Sequence, residues 1–231
     1  MNIVCFGDSV TRGISYVKGR LRIVRENYPA LLQKALGSWA EVVNQGVFND
    51  NSDLLVARLE KDVLSHHPDC VLIAIGGNDC NFRWEEVAER PNDEHETIVP
   101  LPRYLDNLAH LAEKIRDAGA VPVFLNLIPL DPARYYRMLA KQYGSAIAHW
   151  IALCGGIKHW HGLYNRALQQ LAESLDVLMI DVRSAFKEAG DLDGLLSEDG
   201  IHPTAEGYHV LSRTVAENLQ GVFPSLQFAE C

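Results

Sequence analysis

Ser9, Asp199 and His202 are the residues of this 231-residue chain whose types and spacing could together break an acyl bond. A serine hydroxyl attacks a carbonyl carbon once a base takes its proton, and the base needs a partner that fixes its tautomer. Ser9 stands in Gly7-Asp8-Ser9-Val10-Thr11, directly after an apolar run near the start of the chain. Asp199-Gly200-Ile201-His202-Pro203 offers a base, His202, and an orienting acid, Asp199, on one loop. The negative oxygen formed in such a reaction needs N–H donors about 3 Å away. The sequence offers the Ser9 and Gly46 backbone amides, the latter in Asn44-Gln45-Gly46, and the Asn78 side chain in Gly76-Gly77-Asn78-Asp79.

Taken singly, each fragment has a plainer reading. Serine and aspartate after a strand are ordinary N-cap and turn residues, and Asp-Gly is a common turn dipeptide. The elements that must position these residues change that. Apolar runs of strand length lie at 3–6, 41–44, 70–75, 121–127 and 177–180, several without alternation, as in strands covered on both faces. Amphipathic segments at 28–36, 53–64, 105–118, 163–175 and 205–219 read as helices, with Ser52 as a cap for the second. The β-α alternation predicts a parallel sheet between two helical layers. Such sheets gather function beyond the carboxyl ends of their strands. Ser9, Gly46, Asn78 and His202 all follow strands, so one rim receives them.

These four blocks, in this order, resemble those of the SGNH hydrolases, the GDSL lipase/esterase superfamily, over residues 7 to about 210. The resemblance implies a flavodoxin-like α/β/α sandwich with a five-stranded parallel sheet, and no cofactor. It implies a serine hydrolase that cleaves a small carboxylic ester, O-acetyl or short-chain acyl, through an acyl-enzyme on Ser9. Ser9, Asp199 and His202 are then the triad, with Ser9, Gly46 and Asn78 around the oxyanion. A thioesterase or acyltransferase using the same triad is the alternative, and a non-catalytic binding module is a third reading. Val10 replaces the leucine of the family's name, and Asn49 stands where many members carry a second glycine. The α/β-hydrolase elbow, G-x-S-x-G, is not matched, because Thr11 follows Ser9 where a glycine is required. Neither G-x-G-x-x-G nor a Walker A sequence occurs.

Composition narrows the partners. With 21 basic and 30 acidic residues the net charge is −9, which disfavours nucleic acid and anionic membranes. No apolar run reaches bilayer length and no secretory leader is evident, so no membrane anchor is expected. The five cysteines have no regular spacing and fit a reducing, cytoplasmic setting. One domain over 1–231 is expected, with insertions at about 80–102 and 129–160 near the rim. Phe82, Trp84, Tyr135 and Trp160 in these insertions are expected to wall a pocket for a small-molecule ester. His66-His67 and His159-x-His161 lack carboxylate or cysteine partners at metal-ligand spacing, so no metal site is expected. Asp8 is expected to brace the turn, and His209 to belong to the last helix.

Overall fold

The computed structural model describes residues 1–224; Cys231 lies outside the described residues. The chain begins with β1 (Asn2–Gly7), α1 (Ser9–Arg12), β2 (Ile14–Val17), β3 (Arg20–Ile23), α2 (Tyr28–Leu36) and β4 (Glu41–Gly46). It continues through α3 (Ser52–Asp62), β5 (Cys70–Ala74), α4 (Trp84–Glu89), α5 (Leu101–Asp117) and β6 (Val121–Leu125). Then come α6 (Pro132–Tyr143), α7 (Ile147–Leu153), α8 (Ile157–Ser174), β7 (Leu178–Ile180), α9 (Val182–Glu188), α10 (Leu192–Leu195) and α11 (Ala205–Val222).

Five strands form one parallel sheet in the order β4-β1-β5-β6-β7. The chain leaves β1 for β4 on one side, then returns to β5 on the other. The carboxyl ends of β1 and β5 therefore flank the point where winding reverses, which is where such sheets open a crevice. Alternate residues serve opposite layers. Val4, Phe6, Val71, Ile73 and Phe124 pack with α3, α5 and α8, whereas Ile3, Cys5, Leu72, Val123 and Leu125 pack with α2, α9 and α11. This is the α/β sandwich expected from the alternation of elements.

Boundaries shift in ways that have local causes. Asn51, not Ser52, caps α3: its Oδ1 accepts from Leu54 N–H at 3.2 Å. Ser52 is instead the first helical residue, and its N–H donates to buried Asp79 Oδ1 at 2.9 Å. Helix α8 starts at Ile157 rather than 163, because His161 and Asn165 occupy buried positions on its inner face.

Directly after α1 the structure adds a small antiparallel hairpin, β2–β3. Its turn residues Lys18 (φ 52°) and Gly19 (φ 73°) are both left-handed, the geometry of a two-residue hairpin turn. The turn amides of Lys18 and Gly19 donate to Glu198 at 3.2 and 3.4 Å. Tyr16 N–H donates to Ser197 Oγ at 3.2 Å, and Tyr208 Oη donates to Ile14 O at 2.7 Å. The hairpin thus fastens the loop before α11 to the segment that follows Ser9.

Candidate active site

Ser9 is delivered by a sharp exit from β1. A Cβ at Gly7 would run into the Ala74 carbonyl of β5 and Thr11 Oγ1, so only glycine allows this turn. Asp8 caps α1 by accepting from Val10 N–H at 2.9 Å, and Gly13 (φ 92°) ends the helix one turn later. The Ser9 backbone N–H, at the first helical position, has no helical acceptor and is left open. Burial drives the Asp8 pKa up to about 7, offset in part by Val10 N–H and His202. Asp8 braces the turn as expected.

The loop between α10 and α11 carries Asp199 and His202. His202 Nε2 lies 2.9 Å from Ser9 Oγ, and His202 Nδ1 lies 2.6 Å from Asp199 Oδ2. Asp199 Oδ1 accepts from Ile201 N–H and His202 N–H, each at 3.1 Å, and from Ser197 Oγ at 2.9 Å. Burial alone would raise the Asp199 pKa. The His202 hydrogen bond and charge, with the two backbone donors, outweigh burial and hold the carboxyl below its ordinary value. An ionised Asp199 beside Nδ1 leaves Nε2 as an acceptor aimed at the serine hydroxyl. Structure thus brings together Ser9, Asp199 and His202, residues almost at opposite ends of the chain.

Asn78 projects from the loop after β5. Its Nδ2 donates to Asp50 O at 2.7 Å, which orients the amide and leaves its second N–H unassigned. Asp50 is itself held by Arg58 Nε at 2.7 Å.

Gly46 does not join these donors. Its N–H donates to Asn44 Oδ1 at 2.9 Å, while Asn44 Nδ2 donates to Thr11 O at 2.9 Å. A Cβ at Gly46 would strike the Thr11–Arg12 backbone, so this glycine lets β4 pack against α1. Asn49, three residues on, adopts φ 64° and is exposed. Asparagine tolerates that left-handed conformation better than other non-glycine residues, so it can hold the backbone shape a glycine would give.

A cavity of about 100 Å³ opens beside Ser9 and Asn78, walled largely by Leu127, Ile128, Leu130, Tyr135 and Trp160. Tyr135 and Trp160 line it as expected. Phe82 and Trp84 do not: they are buried behind it, where Phe82 meets Trp84, Trp150 and Trp160 edge-on. Their packing energy fixes the insertions against the body, and Trp84 Nε1 and Tyr135 Oη both donate to Asn81 Oδ1 at 2.7 and 3.0 Å. Sequence reasoning missed three further polar residues of the cavity, Asn81, Asn126 and His161. Asn81 and Asn126 lie in no recognisable motif, and His161 only in His159-x-His161, read above for metal alone; the available signal was that His161 and Asn165 fall on the inner face of α8, four residues apart.

The model of the GDSL-like lipase/acylhydrolase family matches residues 5–210. The chain belongs to this family. It is a carboxylic ester hydrolase of the GDSL type. An acetylxylan esterase of Geobacillus stearothermophilus is 28% identical over 212 residues, covering 90% of this chain and 80% of that protein. A GDSL esterase/lipase of Arabidopsis thaliana is 25% identical over 217 residues, covering 91% and 75%. The fold matches the crystal structure of the lipase/acylhydrolase from Enterococcus faecalis with a TM-score of 0.68 at 19% identity, covering 100% and 99%. Among the described residues, no helix of this GDSL hydrolase is long and apolar enough to cross a membrane.

Proposed function

We propose that the protein hydrolyses short-chain carboxylic esters, acetyl esters first among them, through an acyl-enzyme on Ser9. The observation that carries this reading is the hydrogen-bonded line from Asp199 through His202 to Ser9, with contacts of 2.6 and 2.9 Å. Ser9 Oγ attacks the ester carbonyl carbon while its proton passes to His202 Nε2, and Asp199 stabilises the imidazolium. The carbonyl oxygen becomes an oxyanion facing the Ser9 N–H and the free Asn78 N–H. Collapse expels the alcohol, which takes the proton from His202. Water then enters and gives His202 a proton as it attacks the acyl carbon; the acyl–Oγ bond breaks, Ser9 Oγ takes that proton back from His202, and the acid leaves.

Cavity size supports a short acyl group. An apolar cavity of about 150 Å³ holds one benzene ring, so one of about 100 Å³ accommodates fewer heavy atoms than that. The name of the Geobacillus relative, an acetylxylan esterase, supports acetyl on a carbohydrate as the natural case. Free, buried Cys5, Cys70 and Cys80 support a reducing compartment.

The experiment pairs a fluorophosphonate label with a 4-nitrophenyl ester series from acetate to octanoate. The expected result is label on Ser9, loss of turnover in Ser9→Ala, and activity that falls steeply beyond butyrate. Folded wild-type protein that leaves Ser9 unlabelled refutes the acyl-enzyme, and a maximum at octanoate refutes the short-chain assignment.

A further inference from the structure

His161 interrupts the apolar wall of the cavity beside Ser9. It lies on α8, is 6% exposed, and its Nδ1 sits 3.2 Å from Arg183 Nη1. A guanidinium only donates, so Nδ1 accepts and the ring proton resides on Nε2, an assignment made from the hydrogen-bond network. Burial, and then the Arg183 charge, push the His161 pKa down to about 3, so the ring is neutral. Arg183 cannot swing away freely. Its Nη1 also donates to Leu127 O at 3.1 Å and Ile128 O at 3.4 Å, and its backbone N–H donates to Asn126 Oδ1 at 2.9 Å. Leu127 N–H in turn donates to Asn165 Oδ1, one turn beyond His161 on α8, at 3.0 Å. The result is a rigid imidazole whose Nε2–H has no protein acceptor among the described residues and is not sealed within the packing.

A donor placed so has a chemical consequence. An aliphatic group that shuts solvent out leaves the N–H unpaired in an apolar site, whereas an oxygen atom keeps it paired. We propose that His161 Nε2–H anchors the substrate by donating to a hydroxyl, ether or keto oxygen on the group that fills the cavity. The enzyme then selects oxygen-bearing short esters over their aliphatic isosteres. This rests on the ester-hydrolase reading of Ser9 and deepens it. His161 takes no part in proton transfer.

Two isosteric pairs test the assignment, each exchanging one CH₂ for oxygen. On the acyl side they are 4-nitrophenyl methoxyacetate and butyrate; on the alcohol side, 2-methoxyethyl acetate and butyl acetate. The ratio of kcat/KM within a pair, compared between wild type and His161→Phe, cancels the intrinsic reactivity of the esters. His161→Phe is expected to lower the oxygen-to-carbon ratio by about tenfold in one pair. His161→Gln, which retains a side-chain N–H, restores part of the ratio. A fall confined to the acyl pair places the oxygen on the acyl group, and one confined to the alcohol pair places it on the alcohol. If His161→Phe does not fold, His161→Met replaces it. Ratios unchanged within about twofold in both pairs, in a folded variant, overturn the proposal. Ser9→Ala is run alongside: full loss of turnover keeps the ester-hydrolase reading even if the His161 proposal fails, whereas retained turnover removes both.

Discussion

Asparagine at position 199 tests the triad by moving a single proton. In the native loop Asp199 Oδ1 receives two backbone N–H groups and the Ser197 hydroxyl, while Oδ2 faces His202 Nδ1. The amide of Asp199→Asn has two orientations. Keeping its oxygen at the Oδ1 site satisfies both backbone donors. Reversing it would set NH₂ against them, leaving two donors unpaired at about 1–3 kcal/mol each. The first orientation is therefore favoured by roughly 2–6 kcal/mol, and it points an N–H at His202 Nδ1. His202 must then accept there and carry its own proton on Nε2, facing Ser9. A protonated Nε2 cannot take the serine proton, although the distances barely change. Wrong-tautomer variants of serine hydrolases lose about 10⁴ in kcat, equivalent to about 5 kcal/mol of barrier. The assay is turnover of 4-nitrophenyl acetate by folded Asp199→Asn, together with ¹⁵N shifts of the His202 ring. Nitrogen shifts that report a proton on Nε2, with kcat reduced by about 10³ or more, are the expected result. A variant within tenfold of wild type refutes the reasoning, since the Nδ1 partner would then be irrelevant to the chemistry.

Other consequences follow from single contacts. Asn78→Ala removes the proposed oxyanion donor and is expected to lower kcat by about 10²–10³ with little change in KM; an equal rise in KM would instead mark ground-state binding. Asp8 holds its proton to about pH 7 in the folded chain, against an ordinary 3.8. Its contribution to stability is therefore intact below about pH 4 and lost as pH rises toward 7. Asp8→Asn keeps the helix cap and removes the titration, so its melting temperature relative to wild type should rise between pH 4 and pH 8. A difference that is constant with pH contradicts this. Gly46→Ala pushes a methyl into the Thr11–Arg12 backbone and is expected to destabilise the protein by about 1–3 kcal/mol in thermal or denaturant unfolding. An unchanged melting temperature would mean that β4 and α1 can move apart.

The sheet was legible because its central strands β1, β5 and β6 are largely buried and read as apolar runs; each expected run overlaps an observed strand. Ser9 was legible because a strand end delivers it, a rule of topology rather than of local preference, and His202 because Asp199 stands three residues before it on one loop. Hairpin β2–β3 was not. Its strands are four residues each, Arg20–Ile23 is exposed throughout, and its Lys18-Gly19 turn lacks the usual Asn or Asp. Gly46 misled for a related reason: a glycine required by backbone packing and one required by a substrate look alike in sequence. Only the Asn44 side chain, which occupies its N–H, separates them. Phe82 and Trp84 lie close in sequence to cavity residues, but their side chains turn into the core.

Ser9 and His202 are 193 residues apart, and the hairpin after Ser9 is tied to Ser197 and Glu198 beside His202. A ribosome extrudes the amino end first. If the proposed triad holds, the nascent chain carries Ser9 without its base until the loop of Asp199 and His202 has emerged and docked. A fragment that ends before this loop is then expected to be inert, however well its sheet has formed. Ester turnover would thus report that the segments of Ser9 and His202 have met, which makes it a sensitive measure of completed folding.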